Sequence, residues 1–252
     1  MVSPEITAYT LKERPELLEA VRELCIKTWP YFMDQDPIVK RYWSDLYRIY
    51  PDFQYVMVES KTDSVIGVGN SLPVAWQSDP INLPDGGVDW MLENEFRGLA
   101  LEQQARTQIA LQIVVKDTFR GKGISALMIR KMMEIGRVHG LRDLFAPVRP
   151  TQKCSYPLVP IERYIQWKND LELPFDAWIR VHHKLGAKIV KICARSLYIS
   201  GTVSDWESWT KLRFPESGLY IVPGALVPVE IDCRLNQGVY VEPNVWMHHP
   251  IG

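Results

Sequence analysis

The spacing of apolar residues switches repeatedly between a period of about two and a period of about 3.6 residues. Period-two or continuous apolar runs predict strands, and apolar residues three and four apart predict helices. The predicted strands span 6–11, 54–59, 65–75, 107–115, 144–148 and 187–192, and the predicted helices span 15–27, 34–50, 88–104, 123–139 and 175–185. Strands that alternate with helices favour a mixed α/β sheet covered by helices.

Glycine and proline punctuate the C-terminal part of the chain, which carries short strand-like pieces. These pieces span 196–201, 219–223, 227–231 and 239–241. The stretch 150–175 is irregular and rich in proline and tyrosine. We therefore expect one core over 1–213 with an insertion at about 150–175, and a β-rich extension over 214–252 that packs on the same domain.

The overall charge is close to neutral, because 29 basic and 30 acidic side chains leave a formal charge of -1. No overall field therefore recruits nucleic acid or an anionic membrane, and we expect neither as a partner. No apolar run approaches the roughly 20 residues that cross a bilayer. The start Met1-Val2-Ser3-Pro4-Glu5 lacks the charged-then-apolar pattern of a secretion signal, which favours a cytoplasmic protein.

The cysteines and histidines do not show the spacing of a metal site. The four cysteines are widely spread, without the close pairs of zinc sites or small disulfide scaffolds. Two histidine pairs, His182-His183 and His248-His249, are adjacent in sequence, so the side chains of each pair diverge on a helix or a strand. The sequence therefore predicts no metal and four reduced thiols.

A loop with two glycines joins the strand 107–115 to the helix 123–139. It reads Arg120-Gly121-Lys122-Gly123, and it brings free backbone amides and the positive end of a helix to one point. The glycines admit close approach of a ligand, and the two basic residues add charge, which favours phosphate. The loop lacks the Lys-Ser/Thr of a Walker loop and the third glycine of a dinucleotide fingerprint, which argues against nucleotide hydrolysis and hydride transfer.

The residues around this loop resemble the coenzyme A motif of the GNAT acyltransferase superfamily. The stretch Val115-Lys-Asp-Thr-Phe-Arg120-Gly-Lys-Gly-Ile-Ser125 presents a strand valine, a short loop, and Arg/Gln-x-x-Gly-x-Gly/Ala at a helix start. Arg120 and Gly123 match, whereas Ser125 stands where glycine or alanine is usual. The resemblance covers about 6–192. It implies a GNAT-type α/β fold: a mixed, mostly antiparallel sheet flanked by helices, here with a β-rich C-terminal extension.

The resemblance also implies a site for acetyl-CoA or another acyl-CoA. The pyrophosphate would lie on the backbone amides of the loop and the helix start, which are those of Arg120, Gly121, Lys122, Gly123, Ile124 and Ser125. The preceding strand would splay from its neighbour, so that the main chain of Ile113, Val114 and Val115 holds the pantetheine arm. One of these amides would polarise the thioester carbonyl.

His182 and Thr151 are the candidate catalytic residues implied by the resemblance. Many GNAT enzymes carry Tyr-x-x-x-Gly after the last core helix, with the tyrosine as general acid near the sulfur, and His182 takes the tyrosine position four residues before Gly186. We expect its pKa near neutrality, which suits proton transfer in either direction. Thr151 follows the strand 144–148, whose end opens beside the acyl group, where its hydroxyl would bond an acyl carbonyl or carboxylate.

Three segments, 157–164, 175–182 and 214–218, resemble the GNAT-like loading domains of some polyketide synthases. Those domains are associated with decarboxylation of malonyl thioesters and with transfer of the acyl unit to a carrier-protein phosphopantetheine, through a threonine and a histidine. Thr151 and His182 match those two positions. An acyl carrier protein is therefore an alternative partner.

Three functions stay open at this point. The first is an acyltransferase that moves acetyl or another short acyl group from acyl-CoA to an undetermined acceptor; for an amine, the candidate bases are Glu93, Glu95 and Glu102. The second is a loading-type malonyl-thioester decarboxylase or S-acyltransferase, which demands less of a base because thiols ionise near neutrality. The third is a sensor that binds acyl-CoA without turnover. We expect the first.

Overall fold

Nine strands and seven α-helices make up the part of the chain that the computed structural model describes, residues 5–76, 78–97 and 105–251. The strands are β1 (Ile6–Thr10), β2 (Gln54–Glu59), β3 (Ser64–Val74), β4 (Thr107–Val115), β5 (Asp143–Val148), β6 (Lys188–Gly201), β7 (Gly218–Tyr220), β8 (Val229–Asp232) and β9 (Gln237–Pro250). The helices are α1 (Leu18–Ile26), α2 (Pro37–Ile49), α3 (Gly87–Phe96), α4 (Ile124–Val138), α5 (Ile161–Tyr164), α6 (Ala177–Lys184) and α7 (Val203–Thr210). No helix among these residues is long and apolar enough to span a bilayer.

The strands form one sheet in the order β1-β2-β3-β4-β5-β9-β8-β7, and β6 also pairs with β9. Among the described residues, the strand pairs are antiparallel except β4 with β5, which run parallel. The structure confirms the predicted mixed, mostly antiparallel sheet with flanking helices. It also puts the single parallel pair at the middle of the sheet, directly before the glycine loop.

Helices cover both faces of the sheet, as the alternating residues of β2 show. Val56 and Val58 pack in one cluster with Val21 of α1, whereas Tyr55 packs in another cluster with Met128 of α4. Successive side chains of a strand point to opposite faces, so α1 and α4 lie on opposite sides of the sheet. The Tyr55 hydroxyl donates a hydrogen bond to the Met128 carbonyl, which satisfies the one polar atom that this ring buries.

The C-terminal half differs from the predicted elements in three places. The pieces 187–192 and 196–201 form the single strand β6, which an irregular register between Cys193 and Leu197 interrupts. The piece 239–241 belongs to the longer β9, which lies inside the sheet between β5 and β8. Helix α7 was missed, although its signal is present: Thr202 and Asp205 form a capping box at its start.

Helix α3 is shorter than the predicted helix 88–104, because it ends at Phe96. Its buried residues pack against Phe145 and Trp246 of the sheet in the largest core cluster. The predicted continuation through 98–104, which includes Glu102, lies outside the described residues.

Candidate active site

Strands β4 and β5 separate after a short paired stretch. β4 pairs with β3 along its whole length from Thr107 to Val115, but it pairs with β5 only over Thr107–Ile109. The register of β4 against β3 shifts so that Leu111 is an extra residue between two paired ones. Such a bulge bends a strand and ends its regular pairing. The residues after it, Ile113 to Val115, therefore face an opening on the β5 side.

The glycine loop lies at the end of this opening. Gly121 and Gly123 have φ of 74° and 80°, which only glycine adopts at low cost. A Cβ atom added to either one would meet nothing within 4 Å. Gly123 is the N-cap of α4 and supplies no side-chain cap, so the first amides of the helix keep no partner from the helix itself. The loop therefore presents uncapped N–H groups next to free space.

The other loop residues have separate roles. The Arg120 guanidinium donates from Nε to the Val115 carbonyl at 3.2 Å and forms an ion pair with Asp117 at 2.9 Å, which fixes the loop to the end of β4. The Lys122 ammonium lies 5.1 Å from the centre of the Phe119 ring, on the surface. The Ile124 side chain is buried in the core below the loop. Only the backbone of Ile124 therefore faces the loop.

A cavity of about 1150 Å³ is lined by residues from both faces of the sheet, since Val114 packs with α1 and Ile113 with α4, so it passes through the opening between β4 and β5. We call the part on one face the α4–α6 chamber; it is lined by Arg120, Gly121, Gly123, Ser125, Thr151, Trp178, Val181 and His182. The part on the other face is the α1–α2 chamber; it is lined by Arg22, Cys25, Trp29, Asp34, Lys40, Trp43, Tyr47, Glu242 and Asn244. Residues of β4, including Ile113, Val114 and Val115, line the passage between them. Typical single-ligand pockets measure about 300–1,000 Å³, so this cavity has room for a long ligand and a second molecule.

His182 is buried in α6 and reaches the α4–α6 chamber. Its Nδ1 lies 2.8 Å from Nε2 of His249, and the Trp178 ring packs edge-on against it at 4.5 Å. Its Nε2 has no hydrogen-bond partner among the described residues. Burial, together with the neighbouring His249, lowers the pKa of His182 well below 6.5. The expected near-neutral pKa is therefore wrong: the ring is a neutral imidazole at physiological pH.

Thr151 lies at the exposed end of the turn after β5 and lines the same chamber as His182. Gln152, the next residue, is held firmly, since Asp176 accepts a hydrogen bond from its amide at 2.8 Å. Asp176 also caps α6 by accepting from the amides of Trp178 and Ile179. One carboxylate thus ties the Thr151 turn to the helix that carries His182.

A buried ion pair forms part of the wall of the α1–α2 chamber. Arg149 Nε donates to both carboxylate oxygens of Glu242, at 3.0 and 2.9 Å, and the Tyr240 hydroxyl donates to the same carboxylate at 2.8 Å. The Arg149 guanidinium also lies 5.9 Å from the Trp29 ring centre. Burial works to lower the pKa of Arg149, but the charge and hydrogen bonding of Glu242 outweigh it, so the pKa is raised. Sequence patterns gave no signal for this pair, whose members are 93 residues apart.

Gln112 anchors α1 to the bulged part of β4. Its Oε1 accepts from the Trp29 indole at 2.9 Å, and its Nε2 donates to Asn70 at 3.1 Å and to the Cys25 sulfur at 3.0 Å. Burial raises the pKa of the Cys25 thiol to about 11, so it stays protonated and is a weak nucleophile. Gln112 therefore fixes Trp29 and Cys25 against β4, and Cys25 lines the chamber as an uncharged side chain.

Two groups in the α1–α2 chamber keep unused capacity for a ligand. The amide of Asn244 donates to the Pro147 carbonyl and to Ser196, which fixes its orientation because a carbonyl only accepts. Its Oδ1 is then left without a partner among the described residues. The half-buried carboxylate of Asp34 likewise has no hydrogen bond or ion pair within the described ranges. Burial raises the pKa of Asp34, and nearby Lys40 opposes that rise.

Two of the three predicted acidic bases are described, and both lie away from the cavity. Glu93 forms an ion pair with Arg97, and Glu95 is buried with the Tyr50 hydroxyl donating to it. Neither residue lines the cavity. In the described part of the chain, no three His, Cys, Asp or Glu side chains are grouped so as to hold a metal.

Comparisons with known proteins identify the family. A curated relative from Aspergillus versicolor, the arginine N-acetyltransferase avaD, is 31% identical over 278 aligned residues, which cover 98% of this chain and 95% of that protein. The loading GNATL domain of CurA from Lyngbya majuscula superposes with a TM-score of 0.60 at 16% identity, over 99% of this chain and 98% of that one. The GphF GNAT-like decarboxylase in complex with isobutyryl-CoA gives a TM-score of 0.58 at 15% identity, over 98% and 100%. No family model matches.

The chain belongs to the GNAT superfamily, as its coenzyme A motif predicted, and it is an acyltransferase of the GNAT type. The structural matches support the fold, and the sequence relative supports the reaction class. The roles of Ile113 to Val115, of the residues from Arg120 to Ser125, and of Thr151 and His182 stay predictions.

Proposed function

We propose that this protein is an acyl-CoA-dependent N-acyltransferase that moves acetyl, or another short acyl group, to a nitrogen of a small arginine-like molecule. The observation that carries the proposal is the continuous cavity through the opening between β4 and β5. It connects a loop suited to pyrophosphate with a second chamber on the opposite face. A donor and an acceptor would thus meet from two sides of the sheet.

The donor would use the backbone of the loop and of β4. Its pyrophosphate would accept hydrogen bonds from the amides between Gly121 and Ser125, next to the open space at the two glycines. The pantetheine arm would lie along Ile113 to Val115, which have no β5 partner. A main-chain amide there would donate to the thioester carbonyl and stabilise the charge that develops on its oxygen.

His182 would then carry the proton. The acceptor nitrogen, in its uncharged form, attacks the thioester carbon, the new C–N bond forms and the C–S bond breaks. A neutral His182 accepts the proton that the nitrogen loses at Nε2 and returns it to the coenzyme A thiolate, so the ring ends as it began. The low pKa of the buried ring favours this return, because the imidazolium is the unstable form.

The acceptor would be a cation because of Asp34. This carboxylate forms no hydrogen bond or ion pair among the described residues, although Lys40 lies near enough to lower its pKa, and it lines the α1–α2 chamber together with Trp29 and Trp43. A guanidinium pairs with a carboxylate and stacks on indole rings. The naming of avaD as an arginine N-acetyltransferase supports the same class of acceptor. The Oδ1 atom of Asn244 would accept a hydrogen bond from the attacking nitrogen.

An acyl-transfer assay that combines two donors with three acceptors tests the proposal. Acetyl-CoA and malonyl-CoA are each offered with arginine, with norvaline, which keeps the three side-chain carbons but lacks the charged guanidinium, and with a phosphopantetheinyl carrier protein. Release of the coenzyme A thiol and the intact masses of the acceptors are measured in parallel. We expect acetyl transfer to arginine and a much weaker reaction with norvaline. Transfer to the carrier protein alone would refute the N-acyltransferase assignment.

A second candidate is the loading-type reaction, favoured by one observation: Thr151 and His182 line the same chamber. In that reaction a malonyl thioester loses carbon dioxide and the acyl unit passes to a thiol. Thr151→Val removes the hydroxyl at nearly constant size. If Thr151 holds the malonyl carboxylate, this substitution should slow the reaction of a malonyl thioester more than the reaction of acetyl-CoA. If the reaction is simple acyl transfer, it should slow both reactions equally. Saturable acyl-CoA binding without turnover would point to the sensor instead.

A further inference from the structure

Two histidines from distant parts of the chain meet in the core beside the cavity. His182 lies on α6 and His249 lies on β9, where it pairs with Leu144 of β5. The distance from His182 Nδ1 to His249 Nε2 is 2.8 Å, and both side chains are buried. Their outer nitrogens, His182 Nε2 and His249 Nδ1, have no partner among the described residues. The contact to His182 is the one polar contact that the His249 ring makes within the described ranges.

We propose that His249 is a positioning residue that orients the His182 ring and shares its proton during acyl transfer. This inference rests on the proposed catalytic role of His182. A hydrogen bond between two neutral imidazoles contains one proton, so one ring donates and the other accepts. The outer nitrogens are then complementary: when His182 Nε2 carries a hydrogen, His249 Nδ1 does not, and the reverse also holds. The protonation of His182 Nε2 is thus linked to the protonation of His249 Nδ1.

The proton balance of the reaction uses this link. Before attack, His182 donates from Nδ1 to His249 and presents a lone pair at Nε2. When Nε2 accepts the proton from the acceptor nitrogen, the Nδ1 proton shifts toward His249 Nε2, and the positive charge spreads over two rings. The thiolate then takes the proton from Nε2, and the Nδ1 proton shifts back. No proton is gained or lost by the pair, and no buried charge is confined to one ring.

A packing role alone does not explain His249. An apolar residue of similar volume would fill the same core space without the cost of burying an unpartnered Nδ1. The neighbouring His248 shows the contrast, because its Nε2 lies 2.7 Å from Asp143 and its ring stacks on Phe145. His248 has its own partners and faces the other side of the sheet, so it is a matched control on the same strand.

The test compares variants of His249 in steady-state kinetics of the full chain with acetyl-CoA and arginine. His249→Phe keeps the volume and removes both nitrogens; His249→Gln puts an amide near the Nε2 position. We expect kcat to fall about 10- to 100-fold in His249→Phe, by analogy with the loss of a partner that orients a metal-binding histidine. KM for acetyl-CoA should change little, His249→Gln should recover part of kcat, and His248→Gln should remain near the parent. An unchanged kcat in His249→Phe would overturn the proposal.

A double-mutant cycle separates this inference from the proposed function. If His249 acts through His182, the pair His182→Ala/His249→Phe should be no slower than His182→Ala alone. Multiplicative losses would overturn the inference, because they indicate a general structural effect. If His182→Ala itself has parent rates, the role of His182 in the proposed function fails first.

A spectroscopic measurement keeps the test independent of activity. The chain contains five histidines, so imidazole ¹⁵N shifts can be assigned by single substitutions. In the parent, His182 should show one protonated and one unprotonated nitrogen, and His249→Phe should change that tautomer pattern. Identical His182 shifts in a folded His249→Phe variant would contradict the proposed link.

Discussion

Gly123 and Gly140 lie at opposite ends of α4 and provide a matched pair of substitutions. Their φ angles are 80° and 73°, and an added Cβ meets nothing within 4 Å at either site. Gly123 lies at the opening between β4 and β5, whereas Gly140 follows the C-terminal end of the helix. Alanine should therefore introduce the same backbone strain at both positions. Only Gly123→Ala puts a methyl group where the pyrophosphate would bind.

The expected magnitudes follow from this geometry. A left-handed conformation costs a non-glycine residue about 1–2 kcal/mol, which for a chain of this size lowers Tm by roughly 2–8 °C. Both variants should show this loss. A hydrogen bond to a charged group contributes about 1.5–3 kcal/mol, so loss of one amide–phosphate contact should weaken acyl-CoA binding roughly 10- to 150-fold. This second effect should appear in Gly123→Ala alone.

Isothermal calorimetry with acetyl-CoA, combined with thermal unfolding without ligand, measures both effects. The account predicts equal losses of Tm and a selective loss of affinity in Gly123→Ala. Equal affinities for Gly123→Ala, Gly140→Ala and the parent would refute the assignment of the loop to the pyrophosphate. If both variants bound acetyl-CoA more weakly by the same factor, the cause would be strain in α4. That result would also refute the assignment of the loop to the pyrophosphate.

The remaining predictions concern proton transfer and pH. His182→Ala should lower turnover roughly 10²- to 10⁴-fold with little change in acyl-CoA affinity, whereas His183→Ala, on the exposed neighbour, should stay near parent rates; equal rates in both variants would exclude His182. Burial and the charge of Asp36 raise the pKa of Asp89 to about 8. The folded state therefore retains a proton that the unfolded chain loses above about pH 4, so stability falls from about pH 4 to about pH 8. Asp89→Asn should flatten that fall in thermal unfolding, and an unchanged pH profile would contradict the raised pKa of Asp89.

The glycine loop could be predicted because its elements are contiguous. A strand, two glycines and a helix start carry the whole signal within 107–125, and the bound anion is implied by backbone groups that any such turn presents. The mixed α/β class followed in the same way from alternating periods, whereas the mostly antiparallel order of the strands was implied by the resemblance to the GNAT superfamily. What the pattern did not contain was the bulge at Leu111, since apolar alternation continues through it.

Strand β9 shows where local patterns fail. Only 239–241 was predicted, because Glu242, Pro243 and Asn244 resemble a turn when they are considered alone. In the fold they are buried inside the sheet, where Arg149 neutralises Glu242 and the Pro147 carbonyl accepts from Asn244. Partners about a hundred residues away make these polar residues compatible with a central strand.

The low pKa of His182 also depends on residues that are distant in sequence. The helix position of this residue could be predicted, but not its burial, nor its contact with a histidine 67 residues away. Desolvation by elements distant in sequence reverses the expectation for an isolated imidazole. The local pattern therefore indicated the residue, while the tertiary structure determines its charge state.

The most direct test of the account is a single-turnover reaction. Protein saturated with acetyl-CoA is mixed with arginine, and free coenzyme A thiol and acetylated product are measured over the same time course. The account predicts that thiol release and acetyl-arginine formation share one rate and one amplitude, and that both slow together in His182→Ala. Thiol release without an acetylated nitrogen, or no release at all from a protein that binds acetyl-CoA, would contradict it.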